Sequence, residues 1–325
     1  MPRSVKLSPA PPTITRADLA PHAAQEPRLE PGHSAARAFR SIAASALAQA
    51  SANAAVLARA RRPEALHQLR VGLRRMRAAI ALFKPMLADD ALEGVKSELK
   101  WITGELGLAR DLDVFLTDTY RPLLEPHRDW PDLANLGHAL REARSAAYDR
   151  AQAAVTSTRF GVLIHDVSGW VDVGAWTTDS DPKRAALRAR SIGRLAPELL
   201  DQARDKLIKH GRKLKRLDAE QRHKLRIHGK QLRYAAGFFG SLYDNQESKA
   251  LARFGKASQR VTSTLGHQTD IAAAIKLAAE IAAAAPPRVA YAAGLVAAAR
   301  LTGEAEAMKA SRKALGAFRA VKPFW

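Results

Sequence analysis

With 325 residues, 47% of them hydrophobic, the chain can form one large or two modest domains around a sizeable core. The absence of cysteine excludes disulfides, thiolate metal sites and thiol nucleophiles. A formal net charge of +20 and a pI near 10.6 favour association with anions, which nucleic acid, a membrane surface and a phosphate chain all satisfy.

Residues 1–32 are proline-rich, poor in large apolar groups and without periodicity, and they read as a disordered lead-in. From Ser34 the text turns Ala-rich and helical, with 3.6-residue spacing over 34–61, 64–88, 90–108, 112–122 and 133–156. Pro63 suits a first helical position. Phe160 to Trp170 reads as a buried helix interrupted by β-branched residues and glycines, and Gly174 to Pro182 is a polar break. Helices are then expected at 183–210, 219–241, 245–264, 267–284, 288–302 and 303–319. Asp218 with Gln221 three residues on resembles a capping box opening the second of these. Nothing alternates with period two, so the fold class is all-α. No apolar run reaches the roughly 18 residues of a membrane span and no signal-peptide pattern opens the chain, so the expectation is a soluble cytoplasmic protein.

Two of these helices repeat each other 156 residues apart. The pairs are His67 with His223, Arg70 with Arg226, Arg74 with Lys230 and Arg77 with Arg233. Apolar partners follow: Leu69 with Leu225, Val71 with Ile227, Met76 with Leu232, Phe83 with Phe239. At about 100° per residue from His67, Arg74 falls near −20°, Arg70 near −60° and Arg77 near −80°, one quarter of the surface. Leu69, Leu73, Met76, Ile80 and Phe83 occupy the adjoining arc, so the cations sit at the edge of the buried face with stems packed and heads in water. An ordinary solvated face mixes signs. These stripes contain no acid and occur twice, the arrangement of a surface for a polyanion. Each copy is followed by Leu-Gly-x-x-x-Asp: Leu106 to Asp111 lies 44 residues after His67 at its aspartate, and Leu265 to Asp270 ends 47 after His223. Each half is long enough for about four helices. Packed about a pseudo-two-fold axis, the halves (33–178 and 179–325) would turn both stripes to one groove.

Between Lys183 and Arg233 the chain carries 17 Lys and Arg against 5 acids, among them Arg212, Lys213 and Arg216. These three and Arg110 join the eight stripe residues in the expected binding set. Asp111 and Asp270 are expected to orient arginines or cap a helix, and Asp113 and Asp118 read as ordinary loop or helix-start acids. His165, His210 and His267 carry no comparable constellation, and His228, about 140° from His223, reads as packed.

His67-x-x-Arg70-Val71-x-x-Arg74-x-x-Arg77 with Leu106-Gly107-x-x-Arg110-Asp111, and His223-x-x-Arg226-Ile227-x-x-Lys230-x-Leu232-Arg233-Tyr234 with Leu265-Gly266-x-x-x-Asp270, resemble the CHAD family of histidine-containing α-helical domains. The resemblance covers roughly residues 33–320. It implies two four-helix bundles around a basic central cavity that binds inorganic polyphosphate, with some relatives gathering at polyphosphate granules. The Glu-x-Glu-x-Lys signature of the triphosphate tunnel domain carried by some relatives is missing, so the resemblance implies a stand-alone, non-catalytic binding domain without cofactor. Thr269 replaces Arg110 in the second copy and leaves it one cation short.

Nonspecific nucleic-acid binding shares the charge argument, but the stripes hold no interleaved aromatics for base stacking apart from Tyr234 at a margin. A phosphoryl-transfer enzyme would need a phosphate-binding loop or clustered carboxylates for a metal, and neither pattern is present. A metal between His67 and His223 would meet three cations on each face. Membrane-surface binding conflicts with apolar arcs committed to packing. With unperturbed pKa values near 6.5, both histidines are expected to protonate beside a polyanion and to tighten binding between about pH 8 and 6.

Overall fold

The computed structural model describes residues 19–127, 129–243 and 248–325. Among them every regular element is helical, apart from one isolated antiparallel bridge between Ser34 and Ser191. The helices are α1 (Ala35–Arg59), α2 (Pro63–Phe83), α3 (Ala91–Glu105), α4 (Gly107–Val114), α5 (Arg121–Leu124), α6 (Pro131–Thr156) and α7 (Thr158–Val173). They continue with α8 (Pro182–Ala189), α9 (Ile192–Gly211), α10 (Ala219–Phe239), α11 (Ser248–Ala284), α12 (Pro287–Leu301) and α13 (Glu304–Arg319).

Local chemistry sets the starts of the central helices. Ser34 caps α1 by accepting from the Arg37 amide at 3.2 Å. Pro63 opens α2, where its missing N–H is no loss. Asp218 and Gln221 form the expected capping box on α10, with bonds of 2.8 and 3.1 Å. Glycine lets α1 and α2 approach closely: a Cβ on Gly72 would lie 2.8 Å from the Ala50 nitrogen and 2.9 Å from the Ala46 oxygen. α1 is long and apolar enough to cross a membrane, but 56% of its apolar window is buried within the protein.

Contacts tie the start of α1 to the start of α9 and the end of α2 to the end of α10. The amide of Ala35 donates to Arg190 O at 2.8 Å, and the amide of Ile192 donates to His33 O at 2.8 Å, so the starts of α1 and α9 are tied reciprocally. Further on, Phe83 of α2 and Phe239 of α10 pack edge to face with centroids 6.2 Å apart. α2 and α10 therefore lie side by side, with α1 behind α2 and with α9 and α11 behind α10.

Several elements differ from expectation. The 183–210 stretch breaks at Arg190–Ser191, and α8 packs on α1 and on the turn at Lys84–Met86 rather than on the second half. The sequence predicts two helices at 245–264 and 267–284; 245–247 lie outside the described residues, and from Ser248 α11 runs unbroken through Leu265-Gly266, because an isolated glycine costs only about 1 kcal/mol in a packed helix. Its counterpart is interrupted at Leu106. The 160–182 region resolves into α7 and a 3-10 turn (Ala175–Thr177), and Asp89 pins both by accepting from Trp170 Nε1 at 2.9 Å and the Trp176 amide at 3.2 Å. Finally, α12 of the second half also lies along α6 of the first.

The reading of 1–32 as a disordered lead-in needs correction over its second part, while residues 1–18 lie outside the described residues. Residues 19–33 form an extended strap across the halves. Glu26 pairs with Arg75 at 2.8 Å, and Asn53 exchanges bonds of 3.0 and 2.8 Å with the backbone of His22. Leu29 is buried, its amide donates to Ser241 Oγ at 2.9 Å, and Ser191 Oγ donates to Pro31 O at 2.5 Å. Polar anchors, not apolar periodicity, hold the strap.

Candidate polyanion-binding groove

Side by side, α2 and α10 turn their stripes to a common groove of about 810 Å³, walled on one side by α3. Arg70, Arg74 and Arg77 reach it from the first copy, and His223, Arg226 and Lys230 from the second. The lining holds eight Lys and Arg and one acid, Glu93. Few of these cations are neutralised. Lys96 pairs with Glu93 at 2.6 Å, and Arg226 reaches Asp270 at 3.5 Å. Among the described residues Arg70, Arg74, Arg77 and Lys230 form no ion pair. Arg74 Nε donates to the hydroxyl of Tyr234 at 3.4 Å, which links the two copies.

The Leu-Gly-x-x-x-Asp motif now has a physical reading. A Cβ on Gly266 would lie 3.5 Å from the Arg226 guanidinium, and one on Gly107 would lie 3.8 Å from that of Arg70. Each glycine thus brings its helix backbone against the equivalent arginine of its own copy. Asp111 and Asp270, four residues on, sit in the field of these arginines. Arg70 also donates to Thr103 O at 3.1 Å, yet the Nε atoms of both Arg70 and Arg226 are buried without a hydrogen-bond partner.

Burial first, and crowded like charge second, shift the titratable groups of the groove. Burial, then Arg226, Arg74 and Arg233, pull Lys230 from the ordinary 10.5 down to about 7. Burial pulls Arg70 down to about 10, partly opposed by Asp111, which leaves it charged at neutral pH. His67 is lowered by burial, then Arg110, and His223 by desolvation, then Arg226 and Lys230. Asp111 is solvent-accessible, but the protein crowded around it raises its carboxyl against the pull of Arg70. The groove is therefore a store of unsatisfied positive potential that an entering anion would relieve.

The expected set divides in space. Arg70, Arg74, Arg77, His223, Arg226 and Lys230 line the groove. His67 and Arg110 lie close enough to that cluster to act on its charges, outside the lining itself. Arg233 turns to an adjoining pocket beside Glu26 and Arg28, its guanidinium 5.3 Å over the ring of Tyr234. Arg212, Lys213 and Arg216 do not join it; they line a separate groove with α13. Sequence reasoning missed Lys84, Lys96 and Lys100 on the first-half wall, although Lys96 and Lys100 carry the i, i+4 spacing that would have flagged them.

Asp113 is also corrected. It is not an ordinary loop or helix-start acid: it lies buried near the end of α4 and accepts from Arg144 Nε at 2.6 Å and from the Tyr148 hydroxyl at 2.7 Å. This network joins α4 to α6 behind the groove. His228 packs against His210 with ring centroids 4.7 Å apart, consistent with a structural position.

Fold and site together define an all-helical protein with a cation-lined groove between two similar central helices. The chain belongs to the CHAD domain family, which it matches over residues 41–279 and which is known for polyphosphate binding. Its structure superposes on the crystal structure of the CHAD domain from the plant Ricinus communis with a TM-score of 0.78 at 28% identity, covering 93% of this chain and 99% of that one. It also resembles PptA from Streptomyces chartreusis, with a TM-score of 0.61 at 20% identity over 87% of this chain and 99% of that one, a likeness of fold alone. No curated protein matches the sequence significantly.

Proposed function

We propose that this protein binds inorganic polyphosphate, without turning it over, in the groove between α2 and α10. The observation that carries the reading is the meeting of Arg70, Arg74 and Arg77 with Arg226 and Lys230 in one groove, where most of these cations lack a carboxylate partner. A pseudo-two-fold arrangement of duplicated halves accounts for the reciprocal bonds at Ala35 and Ile192 and for the Phe83–Phe239 contact. Polyphosphate offers only charge density and spacing. Cations at i, i+3, i+4 and i+7 set heads roughly 5–10 Å apart along a helix, a repeat that tracks an extended chain. Arginine forks engage two phosphate oxygens at once. Family membership supports the same ligand. The cellular setting proposed is the cytoplasm, at polyphosphate granules.

The lining favours a bare phosphate chain over nucleic acid. Tyr234 is the one aromatic among the groove residues, and it is buried against Phe238, with no face free for a base. The test is competition among long-chain polyphosphate, short polyphosphate and single-stranded RNA at matched charge and near-physiological salt. Preference for the long phosphate chain is expected; equal or tighter RNA binding overturns the proposal.

A further inference from the structure

A second groove, of about 660 Å³, opens between the α9–α10 connection and α13 and shares no lining residue with the first. Its wall on α13 is a third stripe of cations, outside the duplicated motif: Lys309, Arg312, Lys313 and Arg319. At about 100° per residue these four fall within roughly 120° of helix surface, and Arg312 and Arg319 repeat the i, i+7 interval of Arg70 and Arg77. Arg212 and Arg216 face them from the α9–α10 connection, and two lysines there complete eight cations in a lining without an acid. None of the eight forms an ion pair among the described residues. The two walls are held in place by packing: Leu315 lies 3.2 Å from where a Cβ on Gly211 would sit, and Arg204 donates to Arg319 O at 3.4 Å. The floor at Gly316 is open, with nothing within 4 Å of its Cβ position.

We propose that this groove is a second polyanion site, whose occupant is an unbranched phosphate chain. Eight unpaired cations facing each other across a concavity are costly in self-repulsion unless an anion enters. The acids of α13, Glu304 and Glu306, stand in its first turn ahead of all four cations, so none is interspersed among them as on an ordinary solvated face. No aromatic side chain lines the groove, so it offers bases nothing to stack on. This argument uses the α13 groove alone and stands whether or not the central groove holds the same ligand. Where both sites are filled, one long chain would engage two grooves, and short chains would gain nothing from the second.

The test uses the full chain with three exposed cations removed, Arg312→Gln/Lys313→Gln/Arg319→Gln, in two backgrounds: otherwise unaltered, and with the central groove weakened by Arg74→Gln/Lys230→Gln. Long-chain polyphosphate and single-stranded RNA at matched charge are the probes. In the unaltered background the log affinity against log salt slope for polyphosphate should become shallower by about 2, from three phosphates at about 0.7 each. In the weakened background the remaining polyphosphate affinity should fall at least tenfold. Gly316→Asp, which sets a carboxylate on an open floor, should reproduce the loss without steric conflict. Unchanged slope and affinity in both backgrounds overturn the second site, and so does a larger loss for RNA than for polyphosphate. If the central changes prove silent while the α13 changes weaken binding, the central reading fails and the second site stands.

Discussion

If the groove holds a phosphate chain as proposed, Lys230 makes that binding a proton-linked event. In the free protein, burial and the neighbouring arginines hold its ammonium down to about 7. A bound phosphate chain supplies the missing negative charge and returns the group toward its ordinary 10.5. The bound-state pKa is the higher one, so binding takes up a proton between the two values. Affinity is therefore strongest below the free pKa and is lost as pH rises toward the bound one. Full return to 10.5 sets the upper bound, a fall in affinity of about 50-fold from pH 7 to pH 9. Internal phosphates do not titrate over this range. Fluorescence anisotropy with end-labelled long-chain polyphosphate at constant ionic strength reads the effect. Lys230→Arg keeps the charge at every pH and should reduce the change to a few-fold, the residue of His67 and His223, whose own pKa values are also lowered in the free protein. A flat wild-type profile, or an equally steep one in Lys230→Arg, refutes the reasoning.

Three further expectations follow from the same geometry. The eight Lys and Arg that line the central groove should contribute about −4 to −6 to the log–log salt slope, and Arg226→Ala should lessen it by about 0.7 with an unchanged far-UV circular dichroism spectrum; loss of helicity would instead make the Arg226–Asp270 pair structural. Asp113→Ala strands Arg144 and the Tyr148 hydroxyl and should lower stability by about 3 kcal/mol in urea titrations, leaving polyphosphate affinity of the folded fraction within twofold. Gly72→Ala forces apart the α1 and α2 backbones and should lose about 1–3 kcal/mol, whereas Gly94→Ala, with open space at its Cβ, should be neutral or stabilising; equal effects would refute the close-approach argument.

The parts legible in sequence were those written in local periodicity. The stripes, their buried arcs, the capping box at Asp218 and the core position of Phe83 and Phe239 all follow from 3.6-residue spacing and short-range hydrogen bonding. Arg75 shows where that logic stops. It stands next to Arg74 in sequence but is almost wholly buried, with partners Glu26 and Gln49 that lie 49 and 26 residues upstream. Asp113 was hidden in the same way, since its partners sit 31 and 35 residues downstream on α6. The strap of residues 19–33 carries no periodic signal because scattered polar bonds, not an apolar face, hold it down. Arg212, Lys213 and Arg216 were recognised as cations, but only the packing of α13 on the end of α9 shows that they face a different groove.

The central claim is that both copies grip one chain, and the most direct measurement is a crystal structure of the protein with long-chain polyphosphate bound. Continuous phosphate density along the groove between α2 and α10, with oxygens within hydrogen-bond reach of Arg74 from one copy and Lys230 from the other, is the expected result. A chain that contacts only one of the two helices, or bypasses this groove altogether, would contradict the account.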